Sequence, residues 1–447
     1  MTRDGHRRRK DTMRSPIPDY LLEVLQSCSA DLSGHVADYI PELAKADPDR
    51  RALAVATVDG STYGGGDDQH EFTIQSISKP FAYALAIDDI GLAAVLAAVG
   101  VEPSGEAFNE LSLEGGTGRP LNPMINAGAI AAHQLLTADD DAAKNSGQPG
   151  PTDAAPTDTA PEHPARTNQV RRRVSRLLDG LSAFAGRELR IDYAAADSEY
   201  RDAYRNMAIA HMLRNHEAIT NEPTEAVRGY LDQCGVLVTV RDIALMAATL
   251  ANNGLQPRTG ERVISAEAAR QTLSVMATCG MYDASGAWLA RIGIPAKSGV
   301  SGGIIGVLPG QVGIASFAPR LDAAGNSVQG VEMFQRLSQD MGLHLMSNEQ
   351  PSNTAVRGIR TIDDDGTSTS RIRLQGTIRF SGAERVLRSV VEAAETGELE
   401  DCIRLDFSMV QSVSQTGVRM LGEMIRRLQL QGYEVEIDDP EEVYPQG

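Results

Sequence analysis

Residues 76–79 read Ser-Ile-Ser-Lys (SISK) and stand near the start of a segment, Phe72 to Gly91, that is predicted to be helical. A serine and a lysine three positions apart lie on one face of a helix, so the lysine amine can sit beside the serine hydroxyl. A hydroxyl is a weak nucleophile until a base takes its proton, and a partly desolvated lysine can be that base. The motif therefore predicts Ser76 as a nucleophile and Lys79 as its base.

A second motif, Lys297-Ser298-Gly299, follows in a glycine-rich stretch, and Tyr204-Arg205-Asn206 lies between the two. Their order resembles the three-part site of serine β-lactamases and penicillin-binding proteins. The chain has only five lysines against 37 arginines, so two of the five fall in these motifs. A tight glycine bulge without a catalytic role is the structural alternative for the second motif. Taken together, the motifs indicate an active-serine site for acyl transfer or amide hydrolysis.

Changes in composition predict how the chain is divided. Residues 1–18 resemble a flexible tail, and residues 19–346 are patterned like a globular domain. Within that domain, residues 137–169 carry an Asp-Asp-Asp run and five prolines but almost no large apolar side chain. Such a segment buries too little surface to offset its ordering entropy, so it predicts a disordered insertion.

Two hairpins and a small module complete the pattern. Asp59-Gly60 and Pro309-Gly310 each separate two apolar, strand-like runs, which predicts hairpins over residues 52–63 and 302–317. Beyond the polar stretch 347–356, strands and amphipathic helices alternate, which predicts a compact α/β module over residues 352–447.

Charge and composition exclude several classes of protein. The 447-residue chain has a net charge of −18, which would repel the phosphates of nucleic acids and anionic membranes. Its four cysteines are scattered without metal-ligand spacing, so no disulfide framework or structural zinc is expected. The first 14 residues lack a secretory signal, and no apolar run is long enough to cross a bilayer. A cytoplasmic protein without nucleic-acid or membrane partners is the expectation.

Several longer stretches closely resemble the serine-dependent glutaminase family over roughly residues 21–345. They are DYIPELA at 38–44, QSISK at 75–79, EPSG at 102–105, NPMINAGAI at 122–130, AATLAN at 247–252, CGMYD at 279–283 and PAKSGV at 295–300. The resemblance implies an α/β protein of the α+β type. Its catalytic domain would have the β-lactamase/transpeptidase-like fold, with an antiparallel sheet and a helical subdomain.

The resemblance also implies roles in chemistry. Ser76 would attack the side-chain carboxamide of L-glutamine, with Lys79 as the adjacent base. The backbone N–H groups of Ser76 and Val300 would form the oxyanion hole. Either Tyr39 or Tyr282 could relay a proton to the leaving ammonia, and the sequence does not choose between them.

Four further residues fall at positions that grip the substrate in this family: Asn126, Glu199, Asn206 and Tyr230. A carboxylate such as Glu199 can pair with an α-ammonium, and amide and phenol groups can hold a carboxylate or carboxamide. Several of the implied site residues have a structural alternative. Glu199 could belong to a solvated acidic face, Tyr39 and Tyr230 could be packing aromatics, and Asn126 could be a helix or turn cap.

The C-terminal module resembles a STAS domain of the anti-sigma-factor-antagonist type. The residues that carry the resemblance are LDFS at 405–408 and VSQTGVRML at 413–421. Many STAS switches carry Asp-Ser-Ser-Gly, whereas this chain has Ser414-Gln415-Thr416-Gly417, with glutamine where the phosphorylated serine would stand. A regulatory or docking role, with a ligand or protein partner at the STAS-like domain, is the expectation for this module, although Ser414 or Thr416 could still be modified. A passive spacer is the alternative.

The leading hypothesis is therefore a glutaminase that converts L-glutamine and water to L-glutamate and ammonia through an acyl-serine. No metal or organic cofactor is expected, and the family implies a homo-oligomer. One alternative is a β-lactam or peptidoglycan hydrolase on the same fold, whose substrates lie outside the cytoplasm. The other is a degenerate catalytic domain that serves as a scaffold for the STAS-like module.

Overall fold

A computed structural model of the chain describes residues 15–105, 110, 112–137, 161–346, 355–364 and 367–445. These residues form two compact units, one over residues 21–336 and one that contains the residues from 337 onward together with those before 21. Most of the predicted tail, and residues 138–160 of the predicted insertion, lie outside the described residues. No helix in the described part of the chain is long and apolar enough to span a membrane.

The strands are numbered along the chain. They are β1 Ala52–Thr57, β2 Thr62–Gly66, β3 Phe72–Thr73, β4 Arg190–Ile191, β5 Val236–Val238, β6 Ala296–Ser298, β7 Gly303–Leu308, β8 Val312–Phe317, β9 Val356–Asp364, β10 Thr367–Ile378, β11 Cys402–Val413 and β12 Glu434–Asp438.

The α-helices are numbered in the same way. They are α1 Ile17–Ser27, α2 Ser78–Ile90, α3 Leu92–Ala98, α4 Asn126–Gln134, α5 Asn168–Ala185, α6 Tyr193–Arg201, α7 Tyr204–Asn215, α8 Pro223–Cys234, α9 Val240–Ala251, α10 Ala266–Cys279, α11 Ser285–Arg291, α12 Val328–Met341, α13 Phe380–Thr396 and α14 Gln415–Leu430. Short 3₁₀ turns cover Leu43–Lys45, Gln75–Ile77 and Tyr282–Ala284.

The larger unit is built on an antiparallel sheet of five strands in the order β2-β1-β8-β7-β6. Strands β1, β7 and β8 are buried along their whole length, because helices cover the sheet. Gly313 on β8 allows helix α9 to approach closely: a Cβ there would lie 2.3 Å from the carbonyl oxygen of Ala244. Both predicted hairpins, β1–β2 and β7–β8, are confirmed.

A second group of helices stands beside this sheet. Helices α4, α7 and α8 share a core of small and aliphatic side chains that includes Ile130, Ile209 and Leu231. A three-stranded sheet, in the order β3-β5-β4, lies in the same unit. The predicted α+β class, with an antiparallel sheet and a helical subdomain, is confirmed.

The predicted helix over Phe72 to Gly91 starts too early. Phe72 and Thr73 form strand β3, because their backbone pairs with Val238 and Leu237 of β5. Gln75 then has a positive φ of 49°, which a regular helix cannot accommodate. The α-helix α2 begins only at Ser78.

The ends of two other predicted segments also need correction. The predicted tail, residues 1–18, runs into helix α1, which begins at Ile17. The predicted insertion ends too late, because Arg166 is buried and helix α5 begins at Asn168. The side chain of Thr167 caps that helix by accepting from the backbone N–H of Val170.

The smaller unit has a four-stranded sheet in the order β12-β11-β10-β9. Strands β10, β11 and β12 are parallel, with α13 and α14 as the intervening helices, and β9 runs antiparallel to β10. The apolar faces of the two helices are buried at Val386, Leu387, Leu421 and Met424. The predicted α/β module is confirmed, although β9 was not foreseen.

Candidate active site

Ser76 lines a cavity of about 230 Å³ in the larger unit. The cavity also contains six of the other residues singled out from the sequence: Tyr39, Asn126, Glu199, Asn206, Tyr230 and Val300. They come from segments spread over more than 250 positions of the chain. Pockets for drug-sized ligands measure about 300–1,000 Å³, so this one suits a smaller molecule.

Ser76 occupies the 3₁₀ turn that precedes α2 and is buried. Lys79 lies one turn later, in the first turn of α2, and only 1% of its surface is exposed. Its Nζ donates to Asn126 Oδ1 at 2.7 Å and to the carbonyl oxygen of Met124 at 3.2 Å. Burial lowers the pKa of Lys79 to about 7, while Cys234 and Glu199 act against this shift. A substantial fraction of the amine is therefore neutral near pH 7 and able to accept a proton.

Asn126 is the central polar group of the cavity. Besides accepting from Lys79, its Oδ1 accepts from the hydroxyl of Tyr230 at 3.3 Å. Its Nδ2 donates to Asn206 Oδ1 at 2.9 Å. These contacts join α4, α7 and α8 and fix the orientation of the Asn126 amide. Asn126 is the first residue of α4, and its side chain faces the cavity rather than capping the helix.

Glu199, on helix α6, supplies a carboxylate to the cavity. Its Oε2 accepts from Gln75 Nε2 at 3.3 Å. Burial raises the pKa of Glu199 to about 7, and the hydrogen bond from Gln75 together with the charges of Arg228 and Lys79 opposes that rise. An anionic Glu199 is suited to hold an ammonium group.

Gln75 was not singled out from the sequence, although it also lines the cavity. Its position next to Ser76 in the QSISK stretch was the available signal. What the sequence could not supply is the left-handed backbone at this residue, with φ of 49°, which turns its side chain toward Glu199.

A buried ion-pair cluster holds helix α6 against α8. Arg166 and Arg228 both contact Asp232 on α8 and Asp197 on α6, at distances of 2.6 to 3.0 Å. The guanidinium of Arg228 also stacks over the ring of Tyr200, 4.7 Å from its centroid. Asp197 and Tyr200 flank Glu199 in sequence, so the cluster fixes the segment that carries the cavity's carboxylate.

Tyr282 and Tyr39 occupy different places. The Tyr282 hydroxyl donates to the carbonyl oxygen of Ser298 at 3.0 Å and forms a hydrogen bond with Ser76. Burial raises the pKa of Tyr282 above the ordinary tyrosine range. Tyr39 lines the cavity beside Ile40 and Pro41, but 60% of its surface is exposed. Tyr282 is therefore the tyrosine in contact with Ser76.

Lys297 does not line the cavity, which differs from the three-part site suggested by motif order. It is fully buried on edge strand β6, where its Nζ donates to the carbonyl oxygen of Ser298 at 2.7 Å. The same Nζ lies 4.1 Å from the centroid of the Tyr282 ring. Burial and the nearby charge of Lys79 lower the pKa of Lys297 well below its ordinary value. Lys297 thus packs behind Tyr282 and does not present a cation to the cavity.

The chain matches two protein families. Residues 34–148 and 161–346 match the glutaminase family, and residues 363–444 match the family described as Mlab, STAS domain. Among named relatives, a glutaminase of Corynebacterium efficiens is 50% identical over 430 residues, which cover 96% of this chain and 94% of the relative. A glutaminase of Corynebacterium glutamicum is 49% identical over the same length.

Solved structures agree with these matches. The structure described as Mglu in its glutamate form is 42% identical, covers 96% of this chain and all of its own, and has a TM-score of 0.67. A probable glutaminase from Bacillus subtilis, complexed with 6-diazo-5-oxo-L-norleucine, is 30% identical over 75% of this chain and 99% of its own, with a TM-score of 0.62. The chain belongs to the glutaminase family, and its C-terminal unit is a STAS domain.

Proposed function

We propose that this protein hydrolyses L-glutamine to L-glutamate and ammonia through an acyl intermediate on Ser76. The observation that carries the proposal is one cavity of amino-acid size that holds Ser76, the carboxylate of Glu199 and the amides of Asn126 and Asn206, with the buried amine of Lys79 bonded to Asn126. The names of the relatives support the same reaction.

In the proposed acylation step, the neutral Lys79 amine takes the proton of the Ser76 hydroxyl. The Ser76 oxygen forms a bond to the carboxamide carbon of glutamine, and the carbonyl oxygen becomes an oxyanion. The backbone N–H groups of Ser76 and Val300, two residues that line the same cavity, would stabilise that oxyanion. The C–N bond then breaks as the leaving nitrogen receives a proton and departs as ammonia.

The proton for the leaving ammonia comes from Lys79 through a tyrosine. The hydrogen bond between Tyr282 and Ser76 supports Tyr282 as this relay. Tyr39, which is largely exposed at the cavity, is better placed to cover the bound substrate. In the second half of the reaction a water molecule attacks the acyl-serine, Lys79 again accepts and returns a proton, and glutamate leaves.

The α-ammonium and α-carboxylate of the substrate would be held by a group of opposite charge and by hydrogen-bond donors. Glu199 would pair with the α-ammonium, and Gln75 keeps its carboxylate oriented through a hydrogen bond of 3.3 Å. Asn206 on α7 would donate through Nδ2 to the α-carboxylate, and the Tyr230 hydroxyl on α8 would turn its hydrogen from Asn126 Oδ1 to the same carboxylate. Asn126 joins this end of the cavity to Lys79. Substrates without a free α-amino group would leave the buried carboxylate of Glu199 without a positively charged partner, so they should be rejected.

The alternatives receive less support. A β-lactam or peptidoglycan hydrolase would need a cavity open to larger acyl donors, whereas this one measures about 230 Å³ and is lined by the carboxylate of Glu199. A scaffold without activity would gain nothing from burying Lys79 beside Asn126, because removing an amine from water costs free energy that its hydrogen bonds can only offset.

The proposed nucleophile is tested by replacing Ser76 with alanine. Ammonia release from L-glutamine should fall by roughly three or more powers of ten, since nucleophile losses in comparable enzymes are of that size or larger. In intact-mass spectra, wild-type protein treated with 6-diazo-5-oxo-L-norleucine should gain one adduct that maps to Ser76. Ser274→Ala, which removes an exposed hydroxyl on α10, is the matched control and should react like wild type. An adduct on another residue, or full turnover by Ser76→Ala, would contradict the proposal.

Three expectations from the sequence stay predictions. They are a cytoplasmic location, a homo-oligomeric assembly, and a regulatory ligand or protein that binds the STAS domain. In the structure the Ser414 hydroxyl caps helix α14 by accepting from the backbone N–H of Gly417 at 3.1 Å. We propose regulation or docking as the role of this unit, because it matches the STAS family and keeps the hydroxyls of Ser414 and Thr416 on either side of Gln415, which stands where switches of this type carry the phosphorylated serine.

A further inference from the structure

A chain of buried hydrogen bonds ends at the peptide group that precedes Ser76. His133 Nδ1 lies 2.9 Å from Gln233 Oε1, Gln233 Nε2 lies 2.9 Å from Ser78 Oγ, and Ser78 Oγ lies 2.7 Å from the carbonyl oxygen of Gln75. His133, Gln233 and Ser78 are at most 1% exposed. They belong to three helices, α4, α8 and α2, and none of the three lines the cavity.

The direction of this chain follows from the chemistry of its members. The carbonyl oxygen of Gln75 can only accept, so the Ser78 hydroxyl donates to it. The Gln233 amide then donates from Nε2 to Ser78, and its oxygen accepts from His133. Burial lowers the pKa of His133 to about 4, so the ring is neutral and carries its one hydrogen on Nδ1. Every donor in the chain therefore points toward the carbonyl of Gln75.

The packing against the other side of the His133 ring, at Nε2, fixes the position of the ring. Gly229 of α8 lies against it, and a Cβ at that position would come within 2.5 Å of His133 Nε2. The ring is thus held between the backbone of α8 and the amide of Gln233, and only the tautomer with hydrogen on Nδ1 satisfies that amide.

The receiving carbonyl belongs to the same peptide plane as the N–H of Ser76. Gln75 has φ of 49°, a left-handed conformation that residues other than glycine and asparagine adopt rarely. A bond to its carbonyl oxygen holds that plane against rotation. It also polarises the peptide, which makes the N–H at the other end a stronger donor.

We propose that Ser78 and Gln233 are positioning residues that orient and polarise the Gln75–Ser76 peptide, so that the Ser76 N–H meets the oxyanion in the transition state. The inference rests on the proposed acyl-serine mechanism and adds to it a role for residues that do not touch the substrate. His133 closes the chain at its far end by fixing which way the Gln233 amide faces.

The test compares Ser78→Ala, Gln233→Met and the double variant in the full-length protein. Removing an oxyanion donor in other enzymes lowers kcat by about 10²–10³, so a misaligned donor should cost roughly 10- to 100-fold in kcat for Ser78→Ala. KM should change little, because the Ser76 N–H acts on the transition state. Rates are expressed per site labelled by 6-diazo-5-oxo-L-norleucine, which removes any contribution from unfolded protein.

Ser327→Ala is the matched control, since the Ser327 hydroxyl is equally buried and donates to the carbonyl oxygen of Ala318 at 2.6 Å, and neither residue lines the cavity. It should lower Tm like Ser78→Ala but leave kcat unchanged. Gln233→Met should also lower kcat, and it should add nothing further when Ser78 is already alanine, because it acts through that hydroxyl.

Three results would overturn the inference: kcat unchanged in Ser78→Ala, a loss confined to KM, or independent losses that multiply in the double variant. If Ser78→Ala does not fold, Gln233→Met carries the test, since a wild-type kcat in that variant would also overturn it. The two proposals fail separately. Absence of a Ser76 adduct in wild-type protein refutes the acyl-serine mechanism, whereas a normal adduct with an unaffected Ser78→Ala refutes only the positioning role.

Discussion

Lys79 and Glu199 act on each other's protonation in the cavity. The negative charge of Glu199 raises the pKa of Lys79, and the positive charge of Lys79 lowers the pKa of Glu199. Burial works in the opposite sense on both and brings the two pKa values to about 7. The proposed base must be neutral and the proposed ammonium ligand must be ionised. Activity should therefore rise with pH through about 7, where both conditions begin to be met.

Replacing Glu199 with glutamine should separate these two effects. Loss of the carboxylate removes a charge that raises the pKa of Lys79, so the acid limb of the kcat–pH profile should move to lower pH. KM for glutamine should rise roughly 10- to 100-fold, because a charge-assisted hydrogen bond to the α-ammonium is lost. Steady-state ammonia release measured between pH 5 and 9 checks both expectations.

Asp202→Asn is the control for that experiment. It removes another carboxylate that lines the cavity, but this residue is not among the charges that shift the pKa of Lys79. Its kcat–pH profile should keep the wild-type acid limb. A Glu199→Gln limb that moves to higher pH, or stays in place, would show that Lys79 is not the group that titrates.

At the scale of single residues, the sequence predicted which side chains lie together in the cavity, but not their backbone conformation or their burial. Seven of the predicted site residues share one cavity because motifs in this family are long enough to identify positions. The contact of Gln75 with the cavity depends on its backbone dihedral angle. The position of Lys297 behind Tyr282, outside the cavity, depends on the burial of its amine. Neither can be read from residue spacing, since both are set by tertiary packing.

Among the secondary-structure elements, helix α4 depends on a glycine for its place. Gly128 lies in its first turn, and a Cβ there would come within 1.8 Å of the carbonyl oxygen of Asn122. Asn122 lies two residues before Met124, whose carbonyl oxygen accepts a hydrogen bond from Lys79. Gly128→Ala should therefore destabilise the protein by roughly 1–3 kcal/mol through overpacking and lower kcat as well, because the Lys79 acceptor is displaced.

Gly286→Ala is the matched control for this prediction. Gly286 is also a glycine in the first turn of a helix, α11, but no atom lies within 4 Å of a Cβ built there. Alanine is the better helix former, by about 1 kcal/mol, so this variant should keep or slightly raise Tm. Thermal unfolding and ammonia release measured on both variants make the comparison. Equal Tm values for the two would mean that the close approach of α4 to Asn122 is not needed for stability.

The elements that the sequence predicted well are those with strong local signals. Asp59-Gly60 and Pro309-Gly310 supply the turn residues that hairpins require, and both hairpins are present. The start of α2 could not be predicted, because the pairing of Phe72 with Val238 is between residues more than 160 positions apart. An apolar run of this kind has no local feature that separates a buried strand from a helix.

On the scale of the whole molecule, the residues that line the cavity all lie between positions 39 and 300. The STAS domain, matched over residues 363–444, is a unit with its own sheet and its own buried core. Composition predicts a division at the polar stretch 347–356, which lies between two patterned regions.

A chain that ends at Met346 should therefore fold and retain hydrolysis of glutamine, with kcat and KM within about threefold of the full-length values when no STAS ligand is added. It keeps α12, whose Phe334 is fully buried and lies 5.2 Å from Trp288, ring centroid to ring centroid. A chain that ends at Ser327 loses that side chain and should not fold, because deleting a buried aromatic exposes the core around Gly306. Calorimetry of the full-length protein should show an additional transition that the Met346 truncation lacks, since separate units unfold separately. A folded but inactive Met346 truncation would instead mean that the STAS domain is required for catalysis.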